Sequence, residues 1–101
     1  MIYYVDIDGT ICSLVADGDY SKAIPFMSRI HRLNKLYDEG HEIHYWTARG
    51  SSSGKDWSDL TYNQLNQWGC MFTTLMLGKP SYDVWIDDKA WYSEDFFSVD
   101  V

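Results

Sequence analysis

A nearly unbroken β-rich run from Ile2 to Ile7 ends among two aspartates, Asp6 and Asp8, and is followed by Gly9 and Thr10. A continuous apolar run of this kind is the mark of a central strand in a parallel sheet, covered on both faces by helices. Unpaired carboxylates do not belong in such an interior. Asp6 and Asp8 therefore mark the place where the strand leaves the core, and they bias the chain toward an α/β fold with chemistry at a strand end.

The remaining pattern agrees with that expectation. Over residues 25–40, Pro25 suits a first helical turn, Phe26, Met27, Ile30, Leu33, Leu36 and Tyr37 recur at helical spacing, and Gly40 is a C-terminal stop. Residues 41–47 read as a second strand, and 56–69 as a second helix with Asp56 as a candidate N-cap. Residues 72–77 and 82–86 read as third and fourth strands. Strands alternating with amphipathic helices predict a mostly parallel sheet with right-handed crossovers, and such sheets carry their sites at the carboxyl ends of the strands. At 101 residues, 46% of them hydrophobic, the chain suits a single domain, 1–101, with one core.

Composition narrows the function classes. A formal net charge of -7 repels nucleic-acid backbones, so nucleic acid is an unlikely partner. Cys12 and Cys70 lie in no CxxC or paired-histidine spacing, which argues for reduced thiols rather than a disulfide framework or a zinc site. No apolar run approaches the ~20 residues of a membrane span, and no leader pattern opens the sequence, so a soluble cytoplasmic protein is expected.

Each predicted strand ends on a residue with chemistry in it. The first delivers Asp6 and Asp8, the second Thr47 and Arg49 in WTARG, the loop after the third Lys79 in GKP, and the fourth Asp87 and Asp88 in IDD. Four carboxylates converging on one crevice cannot all ionise without counter-ions, which implies Lys79 and a divalent metal. All-oxygen ligands point to Mg2+.

In the order DIDGT, WT, GKP and IDD, these motifs resemble the signature of the haloacid dehalogenase superfamily of phosphatases and phosphotransferases, over residues 2 to about 90. The resemblance implies a Rossmann-like three-layer α/β/α core. It implies Asp6 as a nucleophile that forms an aspartyl-phosphate, and Asp8 as the general acid and base. Gly9 and Thr10 would shape the turn at the phosphate, and Thr47 and Lys79 would bind phosphoryl oxygens. Asp6, the Asp8 main-chain carbonyl and Asp87 would hold Mg2+, with Asp88 touching it directly or through water. Arg49 is a candidate either for contacts beyond the phosphate or for satisfying surface carboxylates. Larger relatives carry a cap domain, whereas residues 11–24 suffice here for a small flap with its tip at Asp17, Gly18 and Asp19. An uncapped site is open, so it can take the end of a large molecule or be closed by a neighbouring subunit of a homo-oligomer.

The expected activity is Mg2+-dependent phosphomonoester hydrolysis of a small phosphorylated metabolite, a sugar phosphate or nucleotide. Its competitors are a nucleic-acid end phosphatase and a non-catalytic or regulatory domain. A dehalogenase would have no use for Asp8, Asp87 or Asp88. The Ser- and Gly-rich loop 48–57, with Arg49, Lys55 and Trp57, is the candidate specificity element. It is not a P-loop, because Gly50 to Gly54 is too short and Lys55 is followed by Asp56.

Overall fold

The computed structural model describes residues 1–98. Three strands, β1 (Ile2–Val5), β2 (Glu42–Trp46) and β3 (Thr74–Met76), form a parallel sheet in the order β1-β2-β3. Helix α1 (Met27–Asp38) connects β1 to β2, and α2 (Ser58–Gln67) connects β2 to β3. A short helix α3 (Ser93–Ser98), which the sequence pattern does not predict, ends the described chain.

Local chemistry sets the helix limits. Gly40, at φ 97, lets the chain leave α1 while its N–H donates to the Tyr37 carbonyl at 3.0 Å. Before α2, the Asp56 carboxylate accepts the Ser58 N–H at 2.9 Å, so the expected capping residue serves the helix from one position upstream of the cap.

Register places Tyr3 opposite Ile43 and Val5 opposite Tyr45, which puts these four side chains on one face of the sheet. That face meets Ile30 and Leu33 of α1 and Leu65 of α2 in the core, extended by Ile7, Ile11 and Cys12 beyond β1. Burying a side chain of this size stabilises the fold by about 1.5–3 kcal/mol. The other face carries Tyr4, His44 and Trp46. Tyr4 stacks on His44 with centroids 5.0 Å apart, and Trp46 meets Trp85 edge-on at 6.1 Å.

The described residues form a small α/β domain with a three-stranded parallel sheet and helices, as expected, and one expectation is corrected. Residues 82–86 form no strand among the described residues, and Val84 and Ile86 are 73% and 93% exposed. The apolar run there is only Val84 to Ile86, flanked by Asp83 and Asp87, and Trp85 is held by Trp46 and Tyr82 rather than by a ladder. No helix of the described residues is long and apolar enough to cross a membrane.

Candidate functional site

Past β1, the chain turns sharply at Gly9, whose φ of 79 is the left-handed region that glycine tolerates. The Thr10 and Ile11 N–H groups both donate to the Ile7 carbonyl, at 3.0 and 2.9 Å, while Gly9 N–H donates to Cys12 O at 2.9 Å. This knot of backbone bonds fixes Asp6 and Asp8 at the mouth of the sheet. Thr47 N–H donates to Met76 O and Lys79 N–H donates to Thr47 O, at 3.0 and 3.1 Å. These bonds prolong the β2–β3 pairing and carry Lys79 across to β1.

The result is a shallow cleft of about 340 Å3, lined by Asp6, Asp8, Thr47, Arg49, Lys79 and Tyr82 among others. Lys79 Nζ stands 3.5 Å from Asp6 Oδ1, and the Thr10 hydroxyl donates to Asp6 Oδ2 at 3.4 Å. Burial pushes the Asp6 carboxyl above its ordinary value, against the opposing pull of the Lys79 charge.

Asp8 is held differently. Arg49 Nε donates to Asp8 Oδ2 and Nη2 to Oδ1, both at 2.9 Å, a two-pronged clasp. The same guanidinium donates through Nη1 to Thr61 Oγ1 at 3.1 Å and to Gln64 Oε1 at 2.6 Å, and its other flank lies 4.7 Å from the Tyr20 ring centroid. The Arg49 side chain is 0% exposed and that of Asp8 17%. Cys12 Sγ lies 3.5 Å from Asp8 Oδ1, and burial, reinforced by the Asp8 charge, pushes its thiol up to about 12.

The structure brings together Asp6, Asp8, Thr47, Arg49 and Lys79 as the sequence predicts. Of the two roles open to Arg49 the structure shows the pairing one: it donates to Asp8, Thr61 and Gln64 and so positions Asp8. Gly9 and Thr10 lie beside the cleft rather than in its wall, where they shape the turn and brace Asp6. Asp87 and Asp88 lie outside the cleft. Without a fourth strand nothing delivers them, and Asp87 Oδ1 instead accepts the Lys89 N–H at 2.7 Å, which holds its carboxyl below the usual range.

The four-carboxylate metal set is therefore not assembled. Among the described residues no group of three or more His, Cys, Asp or Glu side chains could hold an ion. Of the four carboxylates, Asp6 is in place beside Lys79 in the cleft and could serve as a ligand. Mg2+ is commonly held by one or two carboxylates together with phosphate oxygens and waters, and Asp6 fits that more modest role.

Tyr20, Thr61, Gln64 and Tyr82 are site residues that the sequence reading missed. Thr61, Gln64 and Leu65 share the buried face of α2, and two polar residues on an apolar stripe are a signal that a buried polar partner awaits them.

A crystal structure of a target protein from Vibrio cholerae shares this fold, with a TM-score of 0.84 at 24% sequence identity, covering 99% of this chain and 89% of that one. No protein-family model matches the chain, and no curated protein matches it.

Proposed function

We propose that the chain is a phosphomonoester hydrolase of the capless haloacid dehalogenase type, built on a Rossmann-like core and acting through Asp6 on a small phosphorylated metabolite. The observation that carries this reading is the Asp6 carboxylate beside Lys79 at the carboxyl end of a parallel sheet, with a second carboxylate two residues along in the same cleft.

In the first displacement an Asp6 oxygen bonds to phosphorus as the ester P–O bond breaks, and Asp8, entering the cycle as the acid, gives its proton to the departing oxygen. In the second, Asp8 takes a proton from water as the water oxygen bonds to phosphorus. The bond to Asp6 breaks, releasing inorganic phosphate, freeing the Asp6 carboxylate and leaving Asp8 with the proton that it carried at the start. Arg49 uses one lone pair on each Asp8 oxygen and leaves others for these transfers, so the clasp orients the acid-base group without blocking it. Lys79 and the Thr47 region face the phosphoryl oxygens.

Charge balance supports a metal. With Asp8 protonated, Asp6, Lys79 and Arg49 leave a single net positive charge, so an arriving phosphate dianion is only half neutralised in the cleft. Mg2+ held by Asp6 would supply that charge stabilisation.

The test is release of inorganic phosphate by the purified protein from a panel of phosphomonoesters with Mg2+ present. Release that Asp8→Asn slows by about 100-fold or more supports the assignment of general acid and base. Saturable phosphate binding with no turnover across the panel favours a non-catalytic domain, the reading to which the tight Asp8–Arg49 clasp lends weight.

A further inference from the structure

Beside the reaction cleft lies a second cleft of about 470 Å3, and the two share Tyr20, Ala48 and Ser81 in their walls. We infer that this second cleft seats the leaving group, and that it takes a neutral polyhydroxylated ring of monosaccharide size; the inference rests on the phosphoryl-transfer reading of the first cleft.

Two independent segments build the site. One wall is the flap after β1, where Gly18, at φ 73, makes the tip, Asp17 Oδ1 accepts the Asp19 N–H at 3.1 Å, and Lys22 Nζ pairs with Asp17 Oδ2 at 2.5 Å. The other wall is the loop between β2 and α2, carrying Ser52, Ser53, Lys55 and Trp57. That loop is a closed, tied structure. Gly54 N–H donates to Gly50 O at 2.8 Å, and a Cβ on Gly50, at φ 83, would stand 2.1 Å from Lys55 O. The Ser51 hydroxyl donates to Lys79 O at 2.7 Å and the Ser52 and Ser81 hydroxyls meet at 2.9 Å, so the loop is anchored to the strand end that presents Lys79. A group held by this loop is therefore held in fixed relation to the phosphoryl site.

The wall chemistry selects the ligand class. Trp57 meets Tyr20 edge-on, with interplanar angle 90° and centroids 5.0 Å apart, and Lys55 Nζ lies 4.1 Å from the Trp57 ring centroid. One Trp57 face is thus taken by a cation, and among the described residues no second ring lies parallel to it, so there is no sandwich for a planar base. The cleft also carries charges of both signs, Asp17 and Lys55. A second phosphate finds one cation in the wall, Lys55, because the charge of Lys22 is already matched by Asp17. A sugar uses both signs of charge, since a hydroxyl can donate to the carboxylate and accept from the ammonium, with Ser52 and Ser53 doing either. The cleft volume lies in the ~300–1,000 Å3 range of small-molecule sites, ample for one ring and its waters.

The experiment compares kcat/KM of the full chain for glucose 1-phosphate, glucose 6-phosphate, adenosine monophosphate and methyl phosphate, in wild type, Trp57→Ala and Asp17→Asn. We expect at least one glucose phosphate to exceed both methyl phosphate and the nucleotide by about tenfold or more, and that ratio to fall toward one in both variants through a raised KM. Asp17 lies on an exposed turn, so its variant serves even where Trp57→Ala disturbs the fold. Turnover of methyl phosphate equal to that of the sugar phosphates, or a preference for the nucleotide, overturns the subsite while leaving the hydrolase reading intact. Failure of every ester overturns the hydrolase reading instead. Methyl glucoside is then titrated while the indole NMR signals are followed: a shift of the Trp57 signal, assigned by its loss in Trp57→Ala, supports the sugar seat, and no shift overturns it.

Discussion

Replacing Arg49 by methionine removes a buried charge while keeping most of the apolar stem, and it should destabilise the protein severely. The guanidinium is wholly buried and bonds to both Asp8 oxygens, to Thr61 and to Gln64, so its loss strands a carboxylate and two polar side chains in a nearly dry pocket. Breaking a buried pair on one side costs about 3–5 kcal/mol. For a domain of this size each kcal/mol moves Tm by about 4–8 °C, so a fall of roughly 15–30 °C is expected in a thermal melt followed by circular dichroism. Arg49→Lys should recover little, because an ammonium cannot reproduce the two-pronged fork. Asp8→Asn alone strands Arg49 instead, and the double variant Asp8→Asn/Arg49→Met should be less destabilised than the sum of the singles by about 1–3 kcal/mol. A fall in Tm under about 4 °C for Arg49→Met, with additive behaviour in the double variant, would refute the clasp and return Arg49 to the pool of substrate contacts.

Three further outcomes follow from the same geometry. Because burial raises the Asp6 carboxyl in the folded state, the native protein keeps a proton that the unfolded chain has already released just above pH ~4, so stability falls as pH rises through that window. Asp6→Asn should thus melt above wild type at pH 7, by a margin that closes as pH falls through the same window; the side chain is 38% exposed, which keeps the gap modest, and a lower Tm at pH 7 would mean that the Lys79 pair dominates. Burial pushes the Cys70 thiol up to about 11 and the Cys12 thiol up to about 12, so neither should react with a thiol reagent in the native state and both should react in denaturant; rapid native labelling of either would contradict the packing. Chelation of divalent ions should lower phosphate release by about tenfold or more, with recovery on adding Mg2+, and activity indifferent to the chelator would show that Lys79 alone offsets the phosphate charge.

The legible parts of this protein are those where local chemistry and tertiary need agree. Tyr3 and Val5, Ile43 with Tyr45, and Ile30 with Leu33 of α1 announce their elements because they pack directly into the core. Asp6, Asp8, Thr47 and Lys79 are legible because strand ends of a parallel sheet converge whatever the loops do. The fourth strand is where the letters mislead: Trp85 and its apolar neighbours look like core residues, yet Trp85 meets Trp46 edge-on while Val84 and Ile86 stay exposed. Thr61 and Gln64 on the apolar stripe of α2 signal a buried polar partner, but that the partner is Arg49 depends on tertiary contact alone. The flap and the 50–57 loop were visible as loops, but their meeting through Tyr20 and Trp57 depends on tertiary contact alone.

The central claim is that Asp6 is the nucleophile, and steady-state phosphate release by Asp6→Asn beside wild type, with Mg2+ in excess and folding verified by circular dichroism, tests it most directly. The account predicts a loss in kcat of about 10^4-fold or more, because an amide cannot form the aspartyl-phosphate. An Asp6→Asn protein that retains more than about a tenth of wild-type turnover would contradict it.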